Sequence, residues 1–164
     1  MAMNTEEMRV AALRASRLAA DLSESEFAVL AGQVTVRDLA DGDVLVREGA
    51  SDDHLYVVAA GLVGVVKYID SDTRLTVATL GVGDLAGEMG FVDGTSYRSS
   101  LVAVGSARVL GLAREALESL LATHPAVVYH VMRAVIRTVH ETQRRLSHQA
   151  VELSNYIYKQ HGRY

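Results

Sequence analysis

Between residues 34 and 113 the apolar residues never hold a helical period. They come in short, β-branched stretches cut by glycine: VTVRDLADGDVLVREG, LYVVAAGLVGVVKY, RLTVATL and SLVAVGSARVLGLA. Such stretches suit pleated strands, where a branched Cβ loses little rotamer freedom and packs well on a half-buried surface. Asp41-Gly42-Asp43 is turn chemistry. Gly61 and Gly105-Ser106 divide the two longer stretches into predicted strand pairs. Many short strands at close spacing predict an antiparallel β barrel or jelly roll. One segment interrupts the pattern, GEMGFVDGTSYRSS at 87–100.

Helices flank the strands, so the expected class is α+β. TEEMRVAALRASRLAA (5–20) is rich in helix-forming residues. Ser23 followed by Glu26 is a capping box. Phe27, Leu30 and Ala31 form the apolar face behind it, and Gly32 is the predicted stop. REALESLLATH (114–124) reads as a short amphipathic helix. His124-Pro125 marks a new start, since proline suits the first helical turn. From Ala126 to Leu153 there is neither glycine nor proline, and Val128, Met132, Val135, Val139, Thr142, Leu146, Gln149 and Leu153 step by heptads. A helix of roughly 28 residues is about 42 Å long, longer than a barrel of this size. Part of its stripe therefore needs another partner, and a homodimer is expected. Arg133, Arg137, Arg144 and Arg145 read as the solvated outer face of that helix. The predicted organisation is an N-terminal helix at 1–22, a β-barrel domain with flanking helices at 23–124, a long dimerisation helix at 125–155 and a tail at 156–164.

Composition removes several function classes. The 164 residues suffice for one domain with a real core, and 49% of them are apolar. The formal charge of −4 is no footprint for nucleic acid. With no cysteine, disulfides, thiolate nucleophiles and iron–sulfur ligation are excluded. The six histidines show no HxH or HxxxH spacing, and no nucleophile elbow, Walker loop or carboxylate pair stands out. No enzyme activity and no metal is expected. The longest apolar runs are too short to cross a bilayer. MAMNTEEMRV lacks the basic start and apolar stretch of a signal peptide. A cytoplasmic protein with no membrane partner is the expectation.

The interrupting loop carries the chemistry. Gly87 and Gly90 permit close backbone approach to a ligand. Glu88-Met89-Gly90-Phe91 can form one helical turn whose unpaired N–H groups favour an anion. Arg98 presents a planar fork suited to phosphate oxygens, and Ser99 and Ser100 add hydroxyls. Glu88, ten residues away, suits sugar hydroxyls instead. One loop thus offers a phosphate end and a hydroxyl end.

GDLAGEMGFVDGTSYRSS resembles the phosphate-binding cassette of the cyclic nucleotide-binding domain family, most closely in its bacterial catabolite activator type. Gly87, Glu88, Met89, Gly90, Phe91, Arg98, Ser99 and Ser100 fit the pattern, and DGDVLVREG, LYVVAAGLVGVV and GVGDLAGE extend it over about residues 22 to 150. The resemblance implies roles for these positions. Glu88 would accept from the ribose 2′-hydroxyl. Arg98 would pair with the cyclic phosphate, and Ser99 with backbone N–H groups of the loop would complete that site; Gly87, Met89 and Ser100 count among the expected ligand-binding residues. Val65, Val77 and Ala86 would line the apolar wall. Thr142, a polar residue in an apolar seam, would reach the purine. The implied ligand is cAMP, with cGMP as the alternative, and no further cofactor.

Transcription factors of this family continue into a helix-turn-helix domain, whereas this sequence ends eleven residues after Leu153. DNA binding is therefore not expected, and output is expected through a downstream protein of unknown identity. The competing expectation is a degenerate module that keeps the fold, lets Glu88 pair with Arg98, and serves as a ligand-free dimeric scaffold.

Overall fold

The structure, a computed structural model, describes residues 4–161. Strands β3 (His54–Tyr68) and β6 (Ser100–Ala113) run antiparallel along almost their whole lengths, from His54 opposite Ala113 to Val66 opposite Ser100. Every other strand pairs with one of these two. Strands β1 (Thr35–Leu39) and β2 (Val44–Val46) pair with β6, and β4 (Arg74–Leu80) and β5 (Leu85–Ala86) pair with β3.

The antiparallel sheet is as expected, but it is open: its hydrogen-bonded path runs β1-β6-β3-β4 without closing into a barrel. The two long stretches also differ from expectation. Each forms one continuous strand rather than two. In β3 the register slips on both sides of Ala60, and Gly61 adopts φ +73°. Bulges of this kind bend and twist a strand without ending its ladder. A Cβ at Gly61 would lie 2.9 Å from the Ala107 Cα and closer still to the Ser106 carbonyl. The glycine is needed for the crossing of β3 and β6, not for a chain reversal.

Alternation along β3 and β6 feeds two cores. Leu55, Val57, Leu110 and Leu112 face a helical layer, where they meet Leu13, Leu18, Phe27, Leu30, Phe91, Leu117, Val127, Val131 and Val135. Tyr56, Val58, Val63, Leu101 and Val109 face the hollow of the sheet, with Leu39, Leu45, Val46 and Ala86.

The N-terminal segment docks on the first core. Its helix is shorter than predicted: α1 covers Thr5–Arg14, and a 3₁₀ turn follows at Arg17–Ala19. Leu13 and Leu18, five residues apart, would point about 140° from one another on a continuous helix. Breaking at Ser16 lets both be buried. It also lets the Arg17 N–H donate to the Gly83 carbonyl at 3.5 Å. Helix α2 (Glu24–Ala31) opens with the predicted capping box of Ser23 and Glu26. Arg14 joins α1 to α2, forking onto Glu24 at 2.7 and 3.0 Å with its guanidinium 4.1 Å from the Phe27 ring centroid.

After β5, the short helix α3 spans Glu88–Asp93. Helix α4 covers only Arg114–Glu118, and turns replace the rest of the predicted 114–124 helix. Helix α5 runs Pro125–His161, well past the predicted end at 155, so most of the predicted tail is helical. Its interior contains no glycine or proline to stop it. Among the described residues no helix is long and apolar enough to cross a membrane.

Helix α5 has three faces. Val127, Val131, Ala134 and Val135 enter the first core. A second face meets the N-terminal segment in a polar ladder. His130 Nδ1 lies 3.1 Å from Glu26, Arg137 donates to Asp21 at 2.6 Å, Arg133 approaches Asp21 at 3.7 Å, and Arg17 pairs with Glu141. Arg133 and Arg137 stay exposed, as their spacing suggests, and in addition reach Asp21. The third face carries Ile136, Val139, Leu146, Leu153 and Ile157, all exposed.

Gly61→Ala should lower unfolding stability by roughly 2 kcal/mol or more, from the left-handed φ and the backbone collision together. Gly32→Ala, at a helical φ of −70°, should be neutral or slightly stabilising. Urea denaturation of both variants checks the contrast.

Candidate functional site

The loop at 87–100 is pinned at each end. On the first side, β5 pairs with β3 at Tyr56 opposite Ala86 and Val57 opposite Leu85. Gly87 follows at φ +87° and caps α3. A Cβ at Gly87 would meet the Tyr97 hydroxyl and lie 2.7 Å from the His54 carbonyl. One at Gly90 would lie 2.6 Å from the Asp52 carbonyl and 3.2 Å from the Tyr97 ring. The fold itself therefore demands these glycines, before any ligand approaches. The protein's own backbone and Tyr97 occupy the space where a side chain would go.

On the second side, the Gly49 N–H donates to the Tyr97 carbonyl at 2.7 Å and the Tyr97 N–H to Ala50 at 2.9 Å. Lys67 Nζ donates to the Arg98 carbonyl at 2.8 Å and to Glu48 Oε1 at 3.0 Å. Its hydrogen bond holds the Glu48 carboxyl below the usual carboxylate range. Ser100 is buried, and its Oγ accepts the Glu48 N–H at 2.9 Å. That hydroxyl is a fastener for the loop rather than an exposed donor.

Between the pins the charged side chains are uncommitted. Glu88 is partly buried, and burial raises its carboxyl above the ordinary value, opposed only by its own backbone N–H. Arg98 is exposed. Among the described residues neither side chain takes part in an ion pair, so the two ends of the loop do not neutralise each other.

The remaining sequence-predicted residues fall into three groups. Ala86 is buried in the sheet-side core, and Val65 packs against it. Ser99 is partly buried, beside Arg98. Val77, Met89 and Thr142 are exposed. Val77 is the extra residue of a bulge, because Val65 pairs with Ala78 and Val66 with Thr76. It stands 52% exposed and forms no enclosed wall. Thr142 lies on α5 beyond its last buried residue, Thr138.

Sequence reasoning missed what lies behind the loop. Asp52 and Asp53 precede β3, His54 opens it, and the three line a depression of about 430 Å³ with Ser51, Gly94 and Arg114. His54 Nδ1 lies 3.1 Å from Asp52 Oδ1 and 3.0 Å from Asp53 Oδ1. Their ligand atoms are close enough to share an ion. Asp52 is already occupied, however: Oδ1 accepts the His54 N–H at 2.8 Å and Oδ2 accepts the Tyr56 hydroxyl at 2.8 Å. It acts as a turn lock. The signal was the run Asp52-Asp53-His54 at the start of a strand. Burial raises both the Tyr56 and Tyr97 phenols.

A profile of the cyclic nucleotide-binding domain matches residues 23–124, enclosing the whole sheet and the loop. The chain belongs to the cyclic nucleotide-binding domain family. The CRP-like cAMP-activated global transcriptional regulator of Mycobacterium tuberculosis is 25% identical over 123 residues, covering 75% of this chain and 55% of that one. The cyclic AMP receptor protein of Thermus thermophilus is 30% identical over 105 residues, 64% of this chain and 49% of its own. The chain spans about half the length of these curated relatives. The crystal structure of a cyclic nucleotide-binding domain from Methylobacillus flagellatus KT superposes with a TM-score of 0.77 at 26% identity, over 90% of this chain and 83% of that one. The pinned loop lies inside the matched residues of this cyclic nucleotide-binding domain, and it is the segment whose sequence resembles the family's phosphate-binding cassette.

A carboxyl raised on folding favours the protonated protein. In the ligand-free domain, Glu88 adds stability below the ordinary carboxylate range and loses it as pH rises through its raised value. Glu88→Gln should accordingly melt higher than wild type at pH 7, with the difference shrinking toward pH 4. Thermal melts at the two pH values test this.

Proposed function

We propose that this chain is a cyclic nucleotide receptor with cAMP as its ligand, and that α5 passes occupancy to a protein partner. The observation that carries the reading is the pair of uncommitted charges on a cassette whose backbone is pinned at both ends. A pinned loop binds without a large ordering cost. An exposed arginine fork suits a cyclic phosphate. A half-buried carboxyl suits ribose hydroxyls, which can donate to it. Ser99 stands beside Arg98 for the phosphate, and the amides of Gly87 and Met89 at the start of α3 are assigned to the same task. Val65 and Ala86 supply apolar surface near the ribose.

The base contact is assigned to Thr142. This residue lies off the packed body, so it reaches a nucleotide only when α5 rearranges or when a second subunit brings its own α5 across. The exposed stripe of Val139, Leu146, Leu153 and Ile157 supports a homodimer along α5, because such a stripe gains by burial against a copy of itself. Purine contact would then bias the position of α5 in proportion to its differential affinity for the two states. Arg17 touches both Asp84, at 3.7 Å, and Glu141. It links the turn before the cassette to the residue next to Thr142.

Output is assigned to a protein rather than to nucleic acid. The net charge is −4, and Arg133 and Arg137 on α5 are already paired with Asp21. The proposed setting is the cytoplasm.

Calorimetric titration of nucleotide-stripped protein with cAMP and with cGMP tests the reading. Binding to cAMP should be tighter than to cGMP. Arg98→Ala should weaken it at least about tenfold, the ~1.4 kcal/mol scale of one charge-assisted hydrogen bond. No heat with either nucleotide would favour the ligand-free scaffold instead. Separately, Leu146→Glu with Leu153→Glu should shift the protein to monomer in sedimentation velocity.

A further inference from the structure

Tyr97 is the residue of the cassette for which the functional reading has no task. Its backbone is clamped between Gly49 and Ala50, directly before Arg98. Its ring runs back across the loop and lies against Gly90, with the hydroxyl in the space a side chain at Gly87 would need. One residue therefore spans both ends of the cassette. The hydroxyl is buried and has no hydrogen-bond partner. Tyr56 shows the usual alternative, donating to Asp52 at 2.8 Å. Each oxygen of Asp52 already accepts one hydrogen bond; the other carboxylate whose charge bears on Tyr97, and one without a side-chain partner among the described residues, is Glu88, next in sequence to Gly87. The charges of Asp52 and Glu88 both bear on the Tyr97 phenol.

We propose that Tyr97 is a positioning residue for Glu88: its buried, unpartnered hydroxyl, packed under Gly87, is the donor that fixes the Glu88 carboxylate when a ribose hydroxyl engages that carboxylate. The proposal rests on the cyclic nucleotide reading above. A phenylalanine would fill the same volume without leaving a polar atom unsatisfied, and an unsatisfied buried donor is costly. That cost is carried by the ligand-free protein and relieved on occupancy. The relief adds to the differential affinity for the occupied arrangement.

The test compares wild type with Tyr97→Phe, each titrated with cAMP and with 2′-deoxy-cAMP, alongside thermal melts without ligand. The melting temperature of the variant should be unchanged or higher. Its affinity for cAMP should fall about tenfold, the scale of one hydrogen bond to a charged group. Its affinity for the 2′-deoxy analogue, already weaker in wild type, should not change. In a Glu88→Gln background Tyr97→Phe should cost nothing further. Equal losses for both ligands, or a lower melting temperature, would show a merely structural tyrosine and overturn the proposal. So would an unchanged affinity for cAMP in a protein whose wild type binds it. A wild type that binds neither nucleotide overturns the functional reading itself and this proposal with it, and that result precedes any variant.

Discussion

Two strands lying side by side decide where nearly every apolar residue of this protein goes. Because β3 and β6 are paired from end to end, their alternation sends Leu55, Val57, Leu110 and Leu112 to the helices and Tyr56, Val58 and Val109 into the hollow of the sheet. A slip of one residue would exchange the two sets. The cassette is sewn across this division. Leu85 and Phe91 belong to the helical core, while Ala86 and Tyr97 belong to the sheet side. Phe91, essentially inaccessible at 1% exposure, contributes about 1.5–3 kcal/mol by burial alone. The loop that carries the charges is thus as firmly seated as a core element, although its sequence is polar and glycine-rich.

What was legible in the sequence was what neighbouring residues decide among themselves. Ser23 and Glu26 form their capping box within four residues, and the helix behind them follows. The cassette was legible because Glu88, Arg98 and the glycines keep a characteristic spacing. Features set by distant partners were not. Gly61 announces conformational freedom, but only the ladder with β6 reveals that the strand continues through it. Val77 alternates like a wall residue until the bulge between Val65 and Val66 shifts its register. Arg133 and Arg137 read as solvent-facing charges, which they are, but their pairing was not legible because Asp21 lies more than a hundred positions earlier. Tyr97 gives no local sign that it will pack beneath Gly87.

The electrostatic arrangement divides in the same way. Charges that hold the fold are paired: Lys67 with Glu48, Arg14 with Glu24, Asp21 with Arg137. Water screens exposed pairs of this kind, so they add little to stability and their value is mainly geometric. The Lys67–Glu48 pair orients the backbone at Arg98, and the Asp21 pairs orient α5. Glu88 and Arg98 stand apart from this network. Leaving a half-buried carboxyl unpaired costs stability, and that residual strain sits where the cassette would meet its ligand.

Helix α5 loses its last buried residue at Thr138, and the described helix continues to His161. The overhang of 23 residues is about 34 Å long at the rise of an α-helix. Under the proposed repositioning of α5 it would act as a lever arm pivoting near Thr138, close to the rung between Arg17 and Glu141. A rigid tilt of about 10° at Thr138 would displace the far end by about 6 Å, by the same geometry. On the proposed reading, a small change in the angle of α5 near Arg17 would thus be read out at the far end over a distance as large as a side chain.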